Sequence, residues 1–506
     1  MRYRQKRHPS VSGESSGLYC ADLPTRPRPQ IGTVLVTGAS GYIGGRLVPE
    51  LLARGYRVRV MVRAQSPEYR ERWQGAEVVV ADASDPMATG NALKGVSVAY
   101  YLIHSLLLHP KAFEAAEIES AVHFRDAAEK NGLRRVIYLG GLGDITTQLS
   151  PHLKSRIRVA RELAKGSVPV TILRAAIIIG SGSASYEILK HLVKSLPVLF
   201  IPRWAENKCQ PIAVRDVIRY LVGVLETPET AGASFDIGGP DVLTYRQMLR
   251  ILADLQKQKK IFIPSPLSAI GFYSYIASLV TPVPVAITRA LMEGLKNDVV
   301  CQDDRILDIL PISRIGYKEA LIRALSREEQ DAIHTRWADA YPPAYELAIQ
   351  LREFDGRPRY TTHYRLKTRK RAADLFQAIC RVGGKEGWFS NNWMWRLRGW
   401  ADRVLMGVGG SRGRRSDGDL KINDVIGFWR IEDLRTNRRL LLRAEMKLPG
   451  KAWLEFRIEP SGAARELSVT PHYFTDNLFG RIYWFVFLPF HEIIFNSLIK
   501  QIVKRS

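Results

Sequence analysis

Cysteine is scarce. The chain has four in 506 residues, Cys20, Cys209, Cys301 and Cys380, and none stands at the paired spacing of a zinc site or a disulfide scaffold. That excludes a small cross-linked secreted fold, gives no reason to expect a metal centre, and suits a reducing, cytoplasmic compartment. The first thirty residues contain Arg2, Arg4, Lys6 and Arg7 and end Pro-rich, without the continuous apolar stretch of a secretory signal. Residues 1–30 therefore read as a disordered tail. Acidic residues are also short, 50 against 74 Lys and Arg, and the net charge of +24 favours anionic partners. Residues 261–288 carry no charge, but Pro264, Pro266, Gly271, Pro282 and Pro284 cut the run into pieces too short for a membrane span. An apolar helix lining a substrate cleft is the expectation there. No nucleic-acid motif and no internal repeat is found, so no nucleic-acid partner is expected.

What is present first is alternation. Apolar runs at 32–36, 56–62, 77–80, 96–103, 135–139 and 170–179 read as strands, with helical segments such as 113–131 and 153–165 between them. Strands alternating with helices give an α/β fold, a doubly wound parallel sheet of Rossmann type. After Gly180 the pattern loosens into a lobe suited to a substrate, and the Tyr341-Pro342-Pro343 region reads as a linker. The expected division is a dinucleotide-binding unit with its lobe over 31–335, a linker over 336–356, and a separate α+β unit over 357–506. From Gly356 onward there are 29 Lys and Arg against 14 Asp and Glu, so most of the excess positive charge lies at the back.

The strongest chemical signal is Thr37-Gly38-Ala39-Ser40-Gly41-Tyr42-Ile43-Gly44, between the first strand and the first helix. Gly38 permits the tight turn, Gly41 lets backbone approach a pyrophosphate, and Gly44 lets helix and strand pack closely, while the helix N-terminus offers unpaired N–H groups. Gly38, Ser40, Gly41, Tyr42, Ile43 and Gly44 are the expected cofactor contacts. The second strand ends in Val62-Arg63, not in the Asp or Glu that would bind ribose hydroxyls. Arg63 suits a 2′-phosphate, so the expected cofactor is NADP(H). Asp82, after the third strand, either accepts from the adenine amino group or makes a cap or turn.

With Ala81-Asp82-Ala83-Ser84-Asp85, Gln210-Pro211-Ile212-Ala213-Val214-Arg215-Asp216-Val217 and Phe235-Asp236-Ile237-Gly238-Gly239-Pro240, residues 31–326 resemble the atypical or extended short-chain dehydrogenase/reductases, close to NmrA-like members. That resemblance implies NAD(P) in the crevice of the sheet and a Ser, Tyr, Lys catalytic unit. The sequence departs from it. Gly140-Gly141 stand where the Ser would be, and His152 and Arg156 fall at the Tyr and Lys positions. Imidazole can still pass a proton near neutral pH, whereas Arg156 can bind ribose hydroxyls but cannot act as a base. His152 reads either as a proton donor or as a surface residue of a helix start, with His104 as a second candidate.

The back half carries Gly387-Trp388-Phe389, Trp393-Met394-Trp395-Arg396-Leu397-Arg398-Gly399, Phe428-Trp429-Arg430 and Ala444-Glu445-Met446-Lys447-Leu448-Pro449-Gly450. Over 359–504 it resembles the START-like SRPBCC helix-grip superfamily. Strands are expected at 360–367, 424–429, 438–446, 452–458 and 465–471, with helices at 372–381 and 478–504. The resemblance implies an apolar ligand, in a cavity that Trp388, Trp393, Trp395 and Trp429 would line. Arg412-Gly413-Arg414-Arg415 reads as a basic loop, either solvated or meeting acidic lipid. The leading expectation is an NADP(H)-dependent reductase of an apolar carbonyl compound. Its rivals are a non-enzymatic NADP(H) sensor and a peripheral protein on an anionic membrane.

Overall fold

A computed structural model of the chain describes residues 18–63, 69, 72–104, 110–143, 150–329, 335–340, 351, 360–384, 386–405, 407–410, 420–422 and 424–506. Seven strands form the front sheet: β1 (Thr33–Val36), β2 (Arg57–Val62), β3 (Glu77–Val80), β4 (Val96–Tyr101), β5 (Arg135–Gly141), β6 (Val170–Ala175) and β7 (Ser234–Ile237). Their order is β7-β6-β5-β4-β1-β2-β3, all parallel. Alternation along β1 covers both faces. Val34 and Val36 pack with Leu47 and Leu51 of α1 (Gly44–Ala53), and Leu35 packs on the opposite face with Met61 and with Phe124 of α2 (Pro110–Lys130). The chain builds outward from β1 to β3 and returns to β4 on the other side of β1, which opens a crevice at their C-terminal ends.

Helices α3 (Pro151–Ala164) and α4 (Val214–Glu226) flank this sheet, and the lobe adds α5 (Ile270–Val280) and α6 (Val285–Glu293). The uncharged run is thus a strand at Ile261–Ser265 and most of two short helices, divided where Pro282 and Pro284 remove backbone donors.

The back unit is an antiparallel sheet of β8 (Tyr360–Thr361), β9 (Tyr364–Thr368), β10 (Val425–Ile426), β11 (Trp429–Arg435), β12 (Arg439–Ala444), β13 (Lys451–Ser461) and β14 (Ala464–Phe474), with α7 (Ala372–Arg381), α8 (Asn392–Val404) and the long α9 (Leu478–Arg505). Residues 424–429, expected as one strand, are broken by Gly427 at φ +63°, which turns β10 back onto β11. Phe495, Leu498, Ile499 and Ile502 of α9 are buried beside Leu442, Phe456 and Val469 of the sheet. Trp388 and Trp395 stack at 4.1 Å and meet Trp429, so three of the four expected cavity tryptophans pack on one another. Trp393 points outward instead and is 62% exposed, because α8 turns that side away from the core. The basic loop at Arg412, Gly413, Arg414 and Arg415 lies outside the described residues.

Two further expectations change. Of the tail expected to be disordered, residues 1–17 lie outside the described residues, but Tyr19 and Cys20 are buried and donate their N–H groups to the Glu50 carboxylate at 2.5 and 3.0 Å. Glu50 lies on the buried side of α1, and a carboxylate there requires such donors. The start of the expected linker is likewise tied down. Ala338 is buried, as is Thr335 at the end of the expected front unit, and Trp337–Ala340 is a 3-10 turn whose Trp337 N–H bonds the Gly182 carbonyl at 2.9 Å.

Candidate functional site

A cleft of about 730 Å³ opens over the C-terminal ends of β1, β2, β4 and β5. Thr37 fixes its floor. Its hydroxyl donates to the Tyr100 carbonyl and accepts from Leu102 N–H, both at 3.0 Å, which ties the ends of β1 and β4 together where the strand order reverses. Gly38 follows at φ +61°, and a Cβ there would lie 2.6 Å from the Leu102 carbonyl oxygen. A Cβ on Gly44 would collide with the Gly38 carbonyl. No side chain caps α1, and Ser40, Gly41, Tyr42, Ile43 and Gly44 line the cleft at its start; the Gly41 and Gly45 N–H groups are taken by the Gly38 and Gly41 carbonyls, both at 3.0 Å. The cradle has the space and the donors for a pyrophosphate.

Arg46 holds this loop from behind. Its guanidinium donates to the carbonyls of Tyr42 (3.2 Å), Thr335 (3.0 Å) and Ser181 (2.9 Å) and lies over the Tyr42 ring. Thr335 in turn donates its hydroxyl to the Tyr42 carbonyl at 2.9 Å, and Trp337 joins the cleft wall. Arg63 and Asp82 line the cleft at the ends of β2 and β3. Arg63 is exposed, and one Asp82 oxygen accepts from the backbone and hydroxyl of Ser84 at 2.9 and 2.8 Å, the loop turn weighed from the sequence.

The middle of the cleft brings together His104, from the loop after β4, and His152, from the first turn of α3, with ring centroids 4.9 Å apart. Arg156, one turn further, donates to the carbonyls of Leu139 and Ile103 and lies over the Tyr138 ring. Its guanidinium thus braces the ends of β5 and β4. A Cβ on Gly141 would meet the end of the Leu153 side chain at 2.8 Å, a contact that a small rotation of that flexible side chain relieves.

The residue that sequence reasoning missed is Glu117 of α2. It is buried and accepts from His104 Nδ1 at 3.0 Å and from the Ser155 hydroxyl at 2.6 Å. The available signal was its register: Glu117 shares a helix face with buried Ala121, Phe124 and Ala128, where an acid needs partners. Burial alone would raise its pKa, but the bonds from His104 and Ser155 and the charge of Arg156 bring it down to about 2. Burial and then Arg156 depress His104, and burial with the charges of His104 and Arg156 depresses His152 well below the usual imidazole range. A carboxylate on Nδ1 fixes one His104 tautomer and leaves Nε2 as the nitrogen able to exchange a proton. Beyond the histidines the wall turns apolar, with Leu142, Leu153, Ile287, Leu291, Leu295 and Val299.

Residues 30–261 match the model of the NmrA-like family. The matched stretch holds the parallel sheet and the glycine cradle, and its similarity to that family extends over just under half of the chain. Residues 355–498 match a family described as a protein of unknown function, DUF2867. Among curated relatives, the mitochondrial NADH dehydrogenase [ubiquinone] 1 alpha subcomplex subunit 9 of Arabidopsis thaliana is 24% identical over 302 residues, 56% of this chain and 75% of that protein. Photosystem II assembly factor Ycf39 of Trieres chinensis is 21% identical, covering 48% and 75%. Ceramide reductase of Caulobacter vibrioides is 27% identical, covering 46% and 74%.

Proposed function

We propose that the chain is an NADP(H)-dependent reductase of an apolar carbonyl compound. The observation that carries this reading is one cleft holding three parts in order: a glycine cradle with Arg63 at one end, the Glu117–His104 pair against His152 in the middle, and an apolar wall at the other. The cradle glycines and uncapped helix start fit a pyrophosphate, and Arg63 fits a 2′-phosphate. NADPH, when bound, would supply the hydride to the carbonyl carbon.

Glu117 holds the His104 ring and its tautomer, His104 Nε2 carries the proton passed to the carbonyl oxygen, and Arg156 keeps the strand ends fixed beneath them. Both histidines are mostly neutral at pH 7 because their pKa values are depressed. In the reductive direction the rate therefore rises as pH falls toward the His104 pKa. The apolar wall supports a hydrophobic substrate, and the START-like reading of the back unit makes it a holder of the same compound.

The second reading, an NADP(H) sensor without turnover, is favoured by Gly140, Gly141 and His152 in place of the usual catalytic groups, and by relatives named as an assembly factor and a complex subunit. NADPH titration and turnover with a panel of apolar ketones and aldehydes separate the two. Arg63→Ala is expected to weaken NADPH by roughly 10–100-fold, the equivalent of a lost charge-assisted contact, while leaving NADH unchanged. Turnover that disappears in His104→Ala excludes the sensor. Absence of saturable NADPH binding removes both readings.

A further inference from the structure

The back unit carries a large apolar surface that the cleft does not use. Along α8, Trp393, Leu397, Trp400 and Val404 recur at helical spacing and are all exposed, followed by Leu405. The first half of α9 does the same with Leu478, Phe479, Ile482, Phe485, Val486 and Phe490, Phe479 being 78% exposed. A loop joins the two helices. Lys447 N–H donates to Asp402 of α8 at 2.7 Å, Arg398 donates to the Lys447 carbonyl at 3.1 Å, and Pro449 accepts from Thr475, just ahead of α9, at 2.8 Å. At the far end of α8, Arg403 bonds the carbonyl of Leu279 in α5, which exposes Phe272. Exposed apolar area on this scale marks an interaction surface.

Its charge selects the occupant. Arg396 lies on the same exposed stripe as Trp393 and Leu397, and Arg398, Lys447 and Arg481 stand around it. The acids of α8 and its loop, Asp402 and Glu445, are buried and bonded, Glu445 to Arg430 at 2.6 Å, and the two exposed acids at α9, Asp476 and Glu492, are outnumbered by those four cations. An apolar centre bearing tryptophans, with a cationic surround, matches a bilayer interface of anionic headgroups. A symmetric second copy would set these guanidinium groups against one another.

α9 is long and apolar enough to cross a membrane, but Phe495, Leu498, Ile499 and Ile502 are committed to the core, so only its first half is free. We propose that this face seats the protein on an anionic lipid bilayer as a peripheral, non-spanning protein, with Trp393, Leu397, Trp400 and the first half of α9 at headgroup depth. The inference is independent of the reductase reading, although α6 of the cleft wall packs directly on α5.

The test is flotation of the full chain with vesicles of phosphatidylcholine alone or mixed with phosphatidylglycerol, at low and high salt. Co-flotation with the anionic vesicles only, weakened by salt, is the expected result. Combining Trp393→Ser, Leu397→Ser and Trp400→Ser is expected to weaken it at least about tenfold through lost apolar burial. Arg396→Glu with Arg481→Glu is expected to weaken it too, without touching the core. Failure to float with anionic vesicles overturns the proposal, as does equal flotation of correctly folded serine and charge-reversal variants. Light scattering that instead reports a dimer abolished by the serine changes, without vesicle binding, assigns the face to a second copy and also overturns it.

Discussion

Glu117 is a charged side chain at a core position, and its environment makes its ionisation part of the fold. A carboxylate held near 2 against an ordinary 4.5 contributes stability that is complete above pH 4.5 and is lost as pH falls toward 2. The shift corresponds to about 3 kcal/mol at most. Glu117→Gln should therefore melt well below the wild type at pH 7, and the two melting temperatures should converge as pH approaches 2. A constant gap across that range would mean that the carboxylate charge contributes nothing. The glycine cradle was legible in the sequence because what Gly38 and Gly44 must do is settled by their immediate neighbours. Glu117 was not, because its partners His104 and Ser155 lie 13 and 38 residues away and meet it only once α2 and α3 pack.

Among the elements, periodicity located the parallel strands and helix α7 well, since burial on both faces or on one face leaves a direct imprint. It failed at Gly427, where one glycine at positive φ turns an expected single strand into a tight hairpin. It failed again at Trp337–Ala340, whose order comes from contacts with distant elements, not from its own pattern. One of those contacts is testable. Arg430 of β11 is buried, pairs with Glu445 at 2.6 Å and donates to the Ala338 carbonyl at 3.1 Å. Glu445→Ala leaves a buried guanidinium without its counter-charge and is expected to cost about 3–5 kcal/mol in urea unfolding. Arg430→Met combined with Glu445→Leu should cost clearly less than that single change, and equal losses would refute a penalty from the unpaired charge.

For the whole molecule, composition exposed the asymmetry of charge, but not the route by which the front and back units touch. Thr335 bonds the cradle residue Tyr42, and three residues later Ala338 bonds Arg430 of the back sheet. A ligand ordering the cradle should therefore stabilise both units. NADPH at about 100 times its Kd should add about 2.7 kcal/mol and shift near-ultraviolet signals of the back-unit tryptophans together with the front-unit melt. Stabilisation confined to the front unit would show that the two unfold separately.

Arg46 gives the same connection a simpler meaning. A front half severed after Glu329 would keep every glycine of the phosphate loop, yet the guanidinium beneath that loop would lose the Thr335 acceptor in the interior. The nucleotide half of this chain is not a portable module, since one of its own foundations is borrowed from the stretch that leads away from it.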